Sequence, residues 1–315
     1  MYKKIASLTA CVCLLVAAGC GGDTKKPENT VNKSAVQFVD DAGRKVSLAK
    51  APERVVALSP SYLELIDAVG GKIVGRPTAK NGTVPKSMEK LPEVGHTYNV
   101  NMESVVGLKP DLVLASKSQH AKFVQLLESN KINTMEFQVR TYNEVKAFLG
   151  TLGKIYNKPA KANEVIAKLD SDIKAVIDKT PKQKKKVVVL FATANSVTVA
   201  GSKTVAGCVS DLLGFDNVAA AALKGNSDKT PYSMETLLSQ DPEIIFITSM
   251  GKAEKIQKRL QTDFESNPAW KGLTAVKNKR VYALPEDKFL LNPGIHYPEA
   301  VEYMAKLAYP QSFGK

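Results

Sequence analysis

Three histidines, His96, His120 and His296, and one internal cysteine, Cys208, are the side chains best suited to hold a metal or attack a substrate. Their spacing argues against both. A closed zinc site takes four Cys, His or carboxylate ligands at tight local spacing, and the three imidazoles sit in separate loops. Cys208 stands among Val205, Val209 and Leu212, the spacing of a helix core, so a buried thiol is expected. There is no GxSxG, no phosphate-binding loop motif, no HExxH and no Cys–His pair in a catalytic context. The chemistry left to the chain is binding.

Two carboxylates recur at a fixed offset. MESVVGLKPDLVL at 102–114 is echoed by METLLSQDPEIIF at 234–246. Glu103 thereby matches Glu235, Pro110 matches Pro242 and Asp111 matches Glu243, each 132 positions apart. The same offset relates the apolar run at 54–58 to that at 186–190. A repeat of this size is too long for a solenoid unit. It predicts two lobes of similar build with a ligand cleft between them.

The elements that must position these residues alternate. A hairpin is expected over 37–48, turning at 40–43, followed by strands at 54–58 and 72–75. Helices are expected over 62–69, 102–107 and 121–130, with strands at 112–115 and 132–137. The second half repeats the pattern with strands at 187–191, 244–248 and 280–284 and helices at 204–213, 233–239, 252–260 and 298–307. Strands alternating with helices at this pace predict an α/β fold with parallel-type sheets covered on both faces. Between the two copies, Val165, Ile166, Leu169, Ile173, Val176 and Ile177 form one stripe of a helix opening at Pro159. Over 159–179 it would span roughly 30 Å and join the lobes as a strut.

The net charge of +13 comes almost wholly from lysine, since arginine occurs only at 44, 54, 76, 140, 259 and 280. The lysines are spread along the chain, which predicts a solvated basic surface and no nucleic-acid partner. Residues 1–19 read as a signal peptide: Lys3 and Lys4, an apolar run too short to span a membrane, then small residues before Cys20. The end of this run resembles a bacterial lipobox, which implies a diacylated Cys20 and attachment to the cell membrane. Residues 20–36 read as a flexible tether, 37–142 as the first lobe, 143–180 as connecting helices and 181–315 as the second lobe.

The segments APERVVALSPSYLELIDAVGGKIVG, LPEVGHTYNVNMESVVGLKPDLVLAS, YSMETLLSQDPEIIF and FESNPAWKGLTAVKNKRVYAL follow one another in this order behind the lipobox. Together they resemble the solute-binding lipoproteins of ABC importers for ferric siderophores, haem and cobalamin, with the look of the haem receptors of Gram-positive bacteria. The resemblance covers almost the whole mature chain. It implies two pseudo-symmetric lobes joined by one long helix, a monomeric extracytoplasmic receptor with no cofactor of its own, and a membrane permease dimer as partner. It also implies that Glu103 and Glu235 dock against arginines of that permease. Two carboxylates at corresponding corners suit a two-fold partner, and each also favours the dipole of the helix it opens.

For the ligand, the resemblance points to loops facing the cleft. The ligand-binding candidates are Tyr62, His96, Tyr98, Ser116, Lys117, Tyr232, Met250, Phe289 and His296. By position, axial ligands to haem iron fall on Tyr98 and Met250, with His96 as a further candidate, and haem iron accepts all three residue types. The plain alternatives are a backbone-bonded loop histidine at His96 and a gap-filling methionine at Met250. A ferric siderophore would want basic residues, for which Arg76 and Lys117 are candidates, and cobalamin would want aromatic walls. His120 is expected as a solvated cap and Trp270 as a core residue. A hydrolase and a lipid-anchored surface interaction module are the alternatives from other classes.

Overall fold

A computed structural model describes residues 36–79, 84–218, 220, 223 and 227–314. The signal peptide, Cys20 and nearly all of the tether lie outside the described residues. Strands β1 (Val36–Val39) and β2 (Lys45–Leu48) form the expected antiparallel hairpin. Asp40 turns it by accepting the N–H groups of Ala42 and Arg44. The chain continues through β3 (Val55–Ala57), α1 (Leu63–Ala68), a hairpin of β4 (Gly95–His96) and β5 (Asn99–Val100), α2 (Met102–Gly107), β6 (Leu112–Ser116), α3 (Ala121–Ser129) and β7 (Thr134–Phe137). Strands β3, β6 and β7 pair in parallel in that order. The strand expected at 72–75 is not one: Gly75 makes a single bridge to Val56, and the chain leaves the sheet at Arg76 to bridge Glu93.

Helix α4 (Tyr142–Ile155) opens on a capping box in which Thr141 and Glu144 exchange side-chain and backbone hydrogen bonds. Thr141→Ala is expected to cost about 1 kcal/mol, read as a lower urea midpoint at unchanged slope. Helix α5 (Pro159–Ile177) follows, with proline in its first turn. Its 19 residues span about 28 Å, and it buries Ala162, Leu169, Ile173 and Val176.

The remaining elements are β8 (Lys186–Ala192), β9 (Val197–Ala200), α6 (Val205–Leu212), β10 (Asp216–Asn217), β11 (Lys229–Pro231), α7 (Met234–Gln240), β12 (Ile244–Ser249), α8 (Ala253–Leu260), α9 (Pro268–Gly272), α10 (Thr274–Lys277), β13 (Val281–Ala283), α11 (Glu286–Phe289) and α12 (Tyr297–Ala308). Helix α5 packs along α4 and α12. The second sheet is mixed. Strands β10 and β12 run parallel to β8 and β13 parallel to β12, while β9 runs antiparallel to β8 and β11 antiparallel to β9. The reversal is local: Thr193 and Ser196 close a tight turn between β8 and β9.

The sequence repeat is a repeat of strand register. Val55 stands opposite Leu112, and Val187 opposite Ile244, so both partners move by 132 positions together. Lys109 and Asp241 both take positive φ at the end of α2 and α7, just before Pro110 and Pro242. Asp111 accepts the N–H groups of Glu53 and Arg54 at 2.8 and 3.0 Å. Glu243 accepts the N–H of Lys186 at 3.1 Å and its neighbour's ammonium, Lys185, at 2.7 Å. The matched carboxylates therefore clasp the start of the strand paired with their own.

Each sheet alternates its faces. Val55, Leu112 and Leu114 join Val187, Ile244 and Phe246, with residues of α4, α5 and α12, in one hydrophobic cluster. The opposite faces hold separate clusters, Val56 and Val113 in one and Val188 and Ile245 in the other. Trp270 lies in the latter, stacked on Phe264 at 4.4 Å. No helix among the described residues is long and apolar enough to cross a membrane.

Candidate functional site

A cavity of about 300 Å³ opens where the carboxyl ends of strands from both sheets converge. Crevices of this kind bind ligands in open α/β folds. From the first half it is lined by Ser59 and Tyr62 after β3, Ser116, Ser118 and Gln119 at the end of β6, and Gln138 to Arg140 after β7. From the second half come Phe191, Thr204, Asp228, Lys229, Thr248 and the segment 289–292.

The floor is set by packing. The ring of Tyr62 lies against Phe148 and Phe137, with centroids 4.6 and 6.5 Å away. Its hydroxyl donates to the Phe137 carbonyl at 3.0 Å, and burial raises its pKa far above the ordinary tyrosine value. Tyr62 is thus a neutral floor residue, unsuited to binding iron as a phenolate. Ser116 and Ser118 hydroxyls lie 3.3 Å apart beside it, and Phe289 is buried against Tyr303.

His120 corrects the expectation of a solvated cap, because it is fully buried and makes no side-chain cap bond. Its Nδ1 accepts the N–H of Ser116 at 2.8 Å, which leaves Nε2 to donate to the Thr97 carbonyl at 2.9 Å. Burial pushes its pKa down to about 4, against the opposing bond to Thr97. The neutral ring ties the β4–β5 turn to the end of β6.

That turn carries His96 and Tyr98, both exposed, outside the cavity lining. Tyr98 is 66% exposed, and its hydroxyl accepts from Gln119 at 3.2 Å, which places it one side chain from the cavity. Met250 is 51% exposed two residues past the lining Thr248, and its N–H donates to Ala192. The other candidates fall elsewhere. Lys117 turns to the Asp41 carbonyl at 2.7 Å. Tyr232 packs on Phe264 in the outer core of the second sheet. His296 stands between Glu299 and Glu64 at 2.7 and 3.2 Å. Burial lowers its pKa, and the two carboxylates outweigh this to give a net rise. Arg76 is buried, bonded to the carbonyls of Met88, Pro77 and Glu89 and paired with Glu93, so it serves the fold.

The charged residues that do line the cavity are Arg140, Asp228 and Lys229. The Arg140 N–H donates to Glu144 at 2.9 Å and its carbonyl accepts the Tyr297 hydroxyl at 2.6 Å. Its guanidinium pairs with Asp228 across the cavity. The Lys229 ammonium sits 3.2 Å above the Phe191 ring. Burial lowers its pKa, Asp228 opposes the fall and Arg140 adds to it. The one signal for Arg140 in the sequence is its position just past a strand end. With hydroxyls and amides around two cations, the site suits an oxygen-rich anionic ligand. Among the described residues, no group of three or more His, Cys, Asp and Glu could hold a metal ion.

Glu103 and Glu235 lie away from the cavity, exposed in the first turns of α2 and α7. Asn101 and Ser233 cap the two helices equivalently, accepting from Ser104 and Thr236.

Residues 55–288 match the family described as periplasmic binding protein. The chain is 28% identical to the uncharacterized ABC transporter substrate-binding lipoprotein YvrC of Bacillus subtilis (strain 168), over 99% of both chains. It is also 28% identical to the high-affinity heme uptake system protein IsdE of Staphylococcus aureus (strain MRSA252), over 81% of this chain and 87% of that one. The crystal structure of an ABC transporter substrate-binding protein from Listeria monocytogenes EGD-e matches at a TM-score of 0.73 and 27% identity, covering 82% of this chain and 98% of that one. That of S. aureus IsdE complexed with heme matches at 0.70 and 27% identity, covering 81% and 98%.

Proposed function

The chain belongs to the periplasmic binding protein family, and on that premise we propose that it is the extracytoplasmic substrate-binding component of an ABC importer. It takes an iron complex, haem or a ferric siderophore, into the cavity and delivers it to a membrane permease. The observation that carries this reading is the polar cavity at the strand ends, holding Arg140 and Lys229, in a chain similar to a heme uptake protein. Residues 37–142 and 181–315 serve as the two lobes and 143–180 as their connection. The protein acts as a monomer, held at the membrane by lipid on Cys20, with Glu103 and Glu235 docking to the permease. Cys208 is half-buried against the core and not enclosed in it as expected, and catalysis by it is disfavoured, since this burial raises its thiol pKa. Aromatic walls for cobalamin are poor, because the cavity-lining Tyr62 and Phe289 are packed into the core and the Phe191 ring is covered by the Lys229 ammonium.

For haem, which would then sit at the cavity mouth, the exposed His96 or Tyr98 from the β4–β5 turn and the exposed Met250 from the loop after β12, all beside the lining and not in it, are the axial-ligand candidates. Titrating the purified chain with haemin is expected to give a shifted Soret band. His96→Ala or Tyr98→Ala is expected to change that spectrum. Unchanged spectra in both variants and in the double variant remove the first-half ligand. No Soret shift in the parent chain, with fluorescence quenching by a ferric siderophore, selects the siderophore. Absence of both responses sinks the iron-complex reading.

A further inference from the structure

Resting on the cavity as an iron-complex site, we propose that Asp228 is a resident counter-ion, standing where a ligand carboxylate will bind. An incoming complex that bears a carboxylate takes the Arg140 guanidinium over from Asp228, so Asp228 sets both affinity and selectivity. Among the described residues, Asp228 is the only anion in the cavity lining. It comes from the second half of the chain and Arg140 from the first, so their ion pair crosses the space a ligand must occupy.

The pair is built for exchange. Its side chains are 38% and 35% exposed, and ion pairs that reach solvent contribute little net stability. Arg44 and Arg76 differ: Arg44 is shared among Asp40, Glu128, Glu136 and the Thr134 carbonyl, and Arg76 among three carbonyls and Glu93. Arg140 is held by its backbone, through Glu144 and Tyr297, while its guanidinium has Asp228 and the neutral side-chain amide oxygen of the cavity-lining Gln138 as acceptors. Its side chain can therefore change partners while its main chain stays fixed. The backbone of Asp228 is held too, its carbonyl accepting the N–H of Gly201 at 3.0 Å. A guanidinium fork matches a carboxylate with two parallel hydrogen bonds. Once Asp228 lets go, Arg140 and Lys229 leave the cavity with two cations for an anionic guest.

The test measures affinities of the full chain for two matched probe pairs. Haemin is compared with its dimethyl ester, and ferric citrate with ferrichrome, a neutral complex that has no free carboxylate. Asp228→Asn, nearly isosteric, is expected to tighten the carboxylate member of the pair that binds by about tenfold, the scale of one charge-assisted hydrogen bond. The carboxylate-free member should not change. Arg140→Gln is expected to weaken the carboxylate probe by about tenfold or more and to erase the gain from Asp228→Asn in the double variant. Arg140→Lys, which keeps the charge without the fork, should fall between. Thermal melting confirms that each variant is folded. Unchanged or weaker carboxylate binding in folded Asp228→Asn, when the parent binds, overturns the counter-ion role and leaves the iron-complex reading standing. Equal affinity of the parent for both members of a pair does the same. Failure of all four probes to bind the parent and the variants overturns both together.

Discussion

Reversing Glu103 and Glu235 to lysine together is expected to abolish uptake by cells while leaving ligand affinity in solution unchanged. The two carboxylates are exposed, open equivalent helices and sit on strand registers that repeat at the same offset. They therefore carry the same charge at equivalent positions of the repeat, which suits the two-fold permease proposed as partner. Breaking a hydrogen-bonded interfacial charge pair costs about 2–5 kcal/mol, and reversal adds repulsion. Two such losses lower the occupancy of the docked state by roughly a thousandfold or more. Neither residue lines the cavity, so ligand binding is spared. A lysine in the first turn opposes the helix dipole by about 0.3–1 kcal/mol, a small fall in melting temperature that serves as a control. Uptake that survives the double reversal, in folded protein, removes the docking role.

Acid is expected to weaken the fold through His120. Folded His120 is neutral with a pKa of about 4, against an ordinary value of 6.5. Above pH 6.5 the ring is neutral in both states, and its contribution is whole. As pH falls from 6.5, the unfolded chain takes up the proton first, and stability is lost progressively until the folded pKa is reached. The loss amounts to roughly 3 kcal/mol across that window. His296 has the opposite sign. Its raised pKa gives a contribution present below 6.5 and lost as pH rises through the folded value, and its half-exposed position keeps this small. Urea unfolding from pH 7 to 4 should therefore show a shallower fall in His120→Gln than in the parent. Parallel curves would mean that the ring is not held neutral in the fold.

The scaffold was legible because its signals are local or repeat. Apolar runs at one offset became paired strands in one register, and the stripe from Val165 to Ile177 became α5. Asp111 and Glu243 were visible as a matched pair, yet their work as strand clasps depends on a neighbouring strand that only the fold supplies. The cavity was legible as a set of loops and not as a set of side chains. Spacing picks out the strand ends, but direction is decided by tertiary partners. Asp41 draws Lys117 away, carbonyls and Glu93 enclose Arg76, and Glu144 with Tyr297 fixes Arg140 at the cavity. His120 departs from the expected solvated cap for the same reason: its partners are a strand end and a turn 23 residues away.

The hydrophobic cluster shared by both sheets bears on how such a chain could have arisen. Val55 and Leu114 of one copy and Val187 and Phe246 of the other sit in the same cluster, joined by α5 and α12. Only the clusters on the outer faces belong to one copy alone. If the offset marks an ancient duplication, the two copies have since merged their interiors. Neither could be excised with its full complement of buried contacts, and a lesion in one would be felt by its twin.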